Sequence, residues 1–156
     1  MEITAQEDIE GSLEQVFDGL SNFEQFERAI LRRGVDVRRI DEVDEPTVGM
    51  RWASEFRYRG KPRQAEITLT RFDRPNAMQF QSTSAGLTVI TDLECLSLSL
   101  SRSRTRVSIT CTLKPKTLSA RILVQSIKLA RSSVQRKFRA RASDFAREFE
   151  KKLKTG

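Results

Sequence analysis

The chain has 156 residues, 38% hydrophobic and 31% charged, the composition expected of a soluble globular protein and the length of one domain spanning residues 1–156. It contains no histidine and only two cysteines. That excludes a Ser-His-Asp triad, a Cys-His dyad, an imidazole or cysteine-rich metal site and a disulfide framework, so neither metal nor cofactor is expected.

The net charge of +7 is polarised. Residues 1–50 hold 5 basic and 13 acidic side chains (net −8), residues 51–113 hold 10 and 5 (net +5), and residues 114–156 hold 13 and 3 (net +10). No aliphatic run exceeds that of Ile122–Val124, whereas a membrane-spanning helix needs roughly 20 apolar residues. The opening MEITAQEDIE is acidic where an export or transit signal would be basic. A cytoplasmic location is therefore expected, with Cys95 and Cys111 reduced and acting as small core residues.

In chain order, residues 2–10 alternate loosely and read as an edge strand ended by Gly11. Ser12 and Gln15 form a capping box, and Leu13, Val16, Phe17 and Leu20 then make one face of a short helix. Ser21 or Asn22 caps a second helix with Phe23, Phe26 and Ile30 on one side, closed by Arg32, Arg33 and Gly34. From Val35 the period becomes two. Val35, Val37 and Ile40 mark a strand that ends in the acidic turn Asp41–Pro46.

Val48, Met50, Trp52, Ser54, Phe56 and Tyr58 alternate with small or charged residues, as in an antiparallel strand with one solvated face. Ala65, Ile67 and Leu69 continue the inner face after a turn at Gly60–Pro62. Asp73–Asn76 turns the chain again, and Met78 and Phe80 mark the next strand, closed by Ser84–Gly86. In the sixth strand the apolar phase shifts from Leu93 and Cys95 to Leu96, Leu98 and Leu100, which predicts a bulge at Cys95–Leu96. After the SRSRT turn, Val107, Ile109, Cys111 and Leu113 complete the meander. Finally, Leu123, Ile127, Ala130, Val134, Phe138, Ala142, Phe145, Phe149 and Leu153 are separated by threes and fours. Their spacing predicts one helix from about Thr117 to Leu153, on the order of 55 Å long.

This order of parts resembles the helix-grip fold of the START-related superfamily, also called SRPBCC, across nearly the whole chain. The resemblance rests on Ser12–Leu20, Phe23–Leu31, the VGMRWASEFRYRG strand and the helix from Leu118. It implies an α+β fold in which a curved antiparallel seven-stranded sheet wraps a long C-terminal helix, with two short helices after the first strand. The glycine-rich loop of the plant allergen branch is missing. The superfamily implies a hydrophobic cavity between sheet and helix that holds lipids, isoprenoids, sterols or polyketides, and a minority of its members are enzymes. Carried onto this chain, the lining would be Trp52, Phe56, Leu69, Met78, Phe80, Val89, Ile109, Ile127, Val134 and Phe138, with Phe26 at the entrance and Tyr58 at the rim.

Each motif has two readings. The aromatic residues Trp52, Phe56 and Tyr58 serve either a ligand chamber or a plain core. Ser54, Ser82, Thr91 and Ser97 either orient a ligand's oxygen atoms or satisfy strand ends and bulges. Glu66, Asp92 and Glu94 sit opposite inward residues and so face water, which leaves acid–base catalysis without a buried group. The terminal helix keeps Arg131, Arg136, Lys137, Arg139 and Arg141 off its apolar stripe. That serves either a solvated face or an anionic membrane surface or acidic protein. Nucleic-acid surfaces interleave aromatics with the basic residues, and here the aromatics lie on the buried stripe, which argues against that partner. The expected function is binding or transport of a small hydrophobic ligand. The alternatives are a polyketide cyclase/dehydrase-like enzyme on the same scaffold and an adaptor that uses the basic helix.

Overall fold

The computed structural model describes residues 1–99, 101 and 103–155. Strand β1 (Glu2–Glu10) is followed by α1 (Leu13–Leu20), whose capping box forms as expected: Ser12 Oγ accepts the Gln15 N–H at 3.2 Å and Gln15 Oε1 accepts the Ser12 N–H at 3.0 Å. Val16, Phe17 and Leu20 are buried from this helix. Asn22 rather than Ser21 caps α2 (Phe23–Arg32), and Gly34 leaves it with φ +85°.

Strands β2 (Asp36–Arg39), β3 (Arg51–Tyr58), β4 (Lys61–Asp73), β5 (Ala77–Ser84), β6 (Leu87–Ser99) and β7 (Arg104–Pro115) then form an antiparallel meander. The sheet has seven strands in the order β1-β7-β6-β5-β4-β3-β2, so β1 returns beside β7. Residue pairs such as Trp52↔Ile67, Met78↔Leu93 and Leu93↔Ile109 put the inward residues of neighbouring strands opposite one another. The curved sheet and long C-terminal helical segment make this the helix-grip fold.

Three details of the strands differ from the pattern-based expectation, and the single C-terminal helix expected is two helices. Strand β3 begins at Arg51, and Val48 lies outside it and exposed. The bulge on β6 falls between Ser97 and Ser99, because pairing with β7 stays in register through Cys95↔Val107 and Ser97↔Thr105. Cys95, Thr105 and Val107 fill the inner face there, so Leu96 and Leu98 lie exposed (Leu100 is outside the described residues). A second bulge, absent from that expectation, lies between Leu69 and Arg71 on β4 and shifts the inward phase from Ile67 and Leu69 to Phe72, which packs on the core. At this bulge the Thr70 hydroxyl donates to Gln79 at 3.2 Å (backbone oxygen) and 2.9 Å (Oε1).

The C-terminal segment is two helices, α3 (Leu118–Leu129) and α4 (Arg131–Thr155), separated at Ala130. α3 packs on β7, whereas α4 runs along the free edge of β1. There Gln135 Oε1 accepts the Thr4 N–H at 3.3 Å and its amide donates back to the Thr4 carbonyl, while Glu150 accepts the Glu10 N–H at 3.0 Å. Helix side chains thus satisfy backbone groups that an edge strand would otherwise present to another chain. α1 meets α4 through Gly19, where an added Cβ would lie 2.7 Å from the Phe149 ring.

Candidate functional site

An apolar pocket of about 250 Å³ lies between the inner face of the sheet, α2 and α4. Helical spacing on α2 brings Phe23, Phe26, Glu27 and Ile30 to its wall, and on α4 it brings Ala142, Phe145 and Ala146. The sheet contributes Ala5, Glu7 and Ile9 from β1 and Trp52, Ile67, Met78, Phe80, Leu93, Val107 and Ile109 from the other strands. Alanines at 5, 142 and 146 leave volume that larger side chains would fill.

Five of the lining residues are aromatic, and they pack on one another. Phe23 meets Trp52 edge-on at 5.4 Å and Phe80 at 5.9 Å, and Phe26 stacks on Phe145 at 5.6 Å. Two carboxylates enter this apolar surround. Trp52 Nε1–H donates to Glu27 Oε1 at 2.6 Å, which fixes Glu27 against the wall. Glu7 stands opposite Val107 in the inward phase of β1.

Beside the pocket, Asp41 accepts Arg39 Nε–H at 2.9 Å, a further bond from Arg39 Nη2, and the N–H groups of Val43 at 2.9 Å and Arg51 at 2.7 Å. These donors, Arg39 foremost and against the opposing effect of burial, hold the Asp41 carboxyl well below the usual carboxylate range. Arg39 is raised in turn, chiefly by the Asp41 hydrogen bond and against burial, with smaller contributions from the fields of Asp41, Glu27 and Glu24.

Of the residues expected to line a cavity, Phe26, Trp52, Met78, Phe80 and Ile109 line this pocket. Phe56, Tyr58 and Ile127 instead line a separate apolar groove of about 390 Å³ under α3. Leu69, Val89, Val134 and Phe138 line neither. Leu69 is fully packed in the core at the β4 bulge. Val134 and Phe138 miss the pocket because α4 reaches it through residues 142–146. None of Ser54, Ser82, Thr91 and Ser97 lines it either, and Thr91 Oγ1 lies 3.7 Å from Cys111 Sγ.

Glu66 and Glu94 are exposed, with Glu66 paired to Arg51, and Asp92 accepts Gln79 Nε2–H at 2.7 Å. The carboxylates that do reach the pocket are two that the sequence reading does not single out. Glu7 shares a strand face with Ala5 and Ile9, and Glu27 lies one helical turn from Phe23, so both carry a signal in their phase. Burial pushes the Cys95 thiol up to about 11 and also raises Cys111, so neither is activated as a nucleophile. Arg131, Arg136, Lys137, Arg139 and Arg141 are exposed.

No protein-family model matches the chain, and no curated protein sequence matches it. Solved structures do. The protein TTHA0849 from Thermus thermophilus is similar with a TM-score of 0.67 at 16% identity, over 99% of this chain and 98% of that one. The Zhui aromatase/cyclase from Streptomyces sp. R1128 is similar with a TM-score of 0.61 at 12% identity, over 86% and 87% of the two chains. A point mutant of Thalictrum flavum norcoclaurine synthase, in complex with a transition-state analogue, gives a TM-score of 0.63 at 9% identity, over 81% and 82%. These neighbours share the helix-grip fold with this chain. Among the described residues, no helix is long and apolar enough to cross a membrane.

Proposed function

We propose that the chain is a cytoplasmic protein that binds or carries a small hydrophobic molecule, of lipid, isoprenoid or polyketide-like character, in the pocket between sheet, α2 and α4. The observation that carries this reading is the pocket itself: a cavity of about 250 Å³ lined almost wholly by apolar and aromatic side chains. Transfer of an apolar ligand out of water would drive binding. Native mass spectrometry of freshly purified protein should reveal a bound small molecule, and the neutral dye N-phenyl-1-naphthylamine should brighten on binding. Ala142→Leu with Ala146→Leu should abolish both signals while the protein stays folded. Dye binding unchanged by that filling would sink the reading. A polyketide cyclase-like enzyme on the same scaffold is the alternative. Glu7 and Glu27 would then be its proton-transfer groups, and Glu27→Gln would stop turnover while sparing dye binding.

A second reading, docking on an anionic bilayer, is favoured by α3. Leu118, Ile122 and Leu129 are 73%, 61% and 92% exposed, on the side opposite the buried Ala120 and Val124. At 3.6 residues per turn the three fall within about 40° of one another. Residues 95–143 contain 12 basic and no acidic side chains. An apolar stripe on a helix that also carries the exposed Arg121 and Lys128, followed in the chain by the exposed Arg131 and Arg136, suits the boundary of an acidic membrane. Vesicles containing phosphatidylglycerol should retain the protein in a salt-sensitive way, and pure phosphatidylcholine should not. Loss of retention in Ile122→Glu/Leu129→Glu and in Arg136→Glu/Arg139→Glu supports this reading, whereas equal binding to both vesicle types removes it.

A further inference from the structure

The pocket's polar equipment is one-sided. Its two ionisable lining residues, Glu7 and Glu27, are both carboxylates, and no lysine or arginine among the described residues lines it. The indole N–H of Trp52, the one side-chain donor on the wall, is already given to Glu27. The second oxygen of Glu27 and both oxygens of Glu7 accept no hydrogen bond from any described residue. The guanidinium whose field reaches Glu27, that of Arg39, is held by Asp41 and by the Val43 carbonyl at 2.6 Å.

A carboxylate facing apolar space gains most from a cation or a strong donor and is worst matched by another anion. The walls point the same way. Phe23, Phe26, Trp52, Phe80 and Phe145 present ring surface, and aromatic faces attract cations, most strongly where water is excluded. Volume sets the size of the body. A dry cavity of about 150 Å³ admits benzene, so this larger pocket suits a compact body of up to three rings or a short alkyl chain rather than a long-chain lipid.

We propose that the pocket selects an apolar amine, a compact aryl or alkyl body whose protonated amino group donates to Glu27 and Glu7, and that it rejects the same body with an anionic head. This rests on the binding reading above for the same site and replaces its lipid, isoprenoid or polyketide-like ligand with an apolar amine.

The test is displacement of N-phenyl-1-naphthylamine, near neutral pH, by a matched set: 4-phenylbutylamine, 4-phenylbutan-1-ol and 4-phenylbutyric acid. The amine should displace the dye at a concentration at least about tenfold lower than the acid, with the alcohol between them. Glu27→Gln keeps an acceptor for the Trp52 N–H while removing charge, and Glu7→Gln removes the other charge. In the double variant the amine and the acid should converge. An acid that displaces as well as the amine overturns the proposal, as does a preference that survives in the double variant. Dye that binds but yields to none of the three also overturns the ligand class while leaving the binding reading standing. Dye that never binds removes both.

Discussion

α4 and α3 differ in where they put their apolar residues. α4 is a long, strongly charged helix whose narrow seam of Ala142, Ala146 and Phe149 is buried against the sheet, α1 and the pocket. α3 is less than half as long and apolar on two opposite sides. Ala120 and Val124 are buried toward β7, while Leu118, Ile122 and Leu129 face outward. The apolar content of a helix therefore says little about how firmly it is held. What counts is whether the apolar atoms have something to press against.

Stability should follow that difference, so the largest effect belongs to α4. Phe149→Ala removes a buried ring that stacks on Phe145 at 5.7 Å and covers Gly19. Urea unfolding should show a loss of about 3–5 kcal/mol. A loss below about 1 kcal/mol would mean that α4 is as loosely held as the outer side of α3.

The pocket end is also held from the β2 side, through Asp41. Asp41→Asn puts an amide where Arg39, Val43 and Arg51 all donate, and should cost about 2 kcal/mol. The sign with pH is fixed by the direction of the shift. The Asp41 carboxyl is depressed in the folded state from an ordinary value of 3.8. Its contribution is thus fully present above about pH 4 and fades as the pH falls from there toward the folded-state value. The variant should flatten that acid limb of the stability curve. An unchanged acid limb would show that the clamp is not formed in solution. Gly19→Ala comes next, at about 1–3 kcal/mol in urea unfolding, because its methyl would lie 2.7 Å from the buried Phe149 ring, which must shift to admit it.

How legible these features are in the sequence depends on how local their causes are. The Ser12–Gln15 box and the Val16, Phe17 and Leu20 face are readable because a few neighbouring residues decide them. The meander is readable because a period of two recurs between the turns from Trp52 to Leu113, even though its phase slips at the bulges on β4 and β6. The break at Ala130 is not, since neither Pro nor Gly marks it and the apolar spacing runs straight through. Periodicity picks out the stripe that includes Leu123 and Ile127 but not Leu118, Ile122 and Leu129, because it finds one face and does not ask what covers the other. The pocket is harder still. Its volume comes from three alanines on two elements far apart in sequence, and its walls from rings whose meeting depends on the curvature of the sheet. Glu7 and Glu27 are readable from phase, yet carboxylates on the central strands draw the eye first.

A smaller effect tests the edge of β1. Gln135→Ala removes both bonds to Thr4 but leaves groups that water can reach, so about 0.5–1 kcal/mol is expected. Hydrogen exchange at the Thr4 amide should quicken, and no change there would mean that Gln135 does not cover this edge.

The smallest effect on stability belongs to Leu129, and it sharpens the comparison most. Its side chain is 92% exposed, so Leu129→Ala gives up almost no buried area and should alter unfolding by less than about 0.5 kcal/mol. Folding alone therefore gives no reason for a leucine there beside Ile122 and Leu118. If the outer side of α3 presses on an acidic bilayer, the same substitution should weaken retention on phosphatidylglycerol vesicles several-fold, since each apolar side chain lost from the boundary forfeits its transfer energy. A variant silent in unfolding and active in vesicle binding would separate holding the fold together from holding a partner. One silent in both would leave α3 as a cover for β7 and the groove beneath it, with the ligand pocket under α4 as the only working surface proposed for this chain.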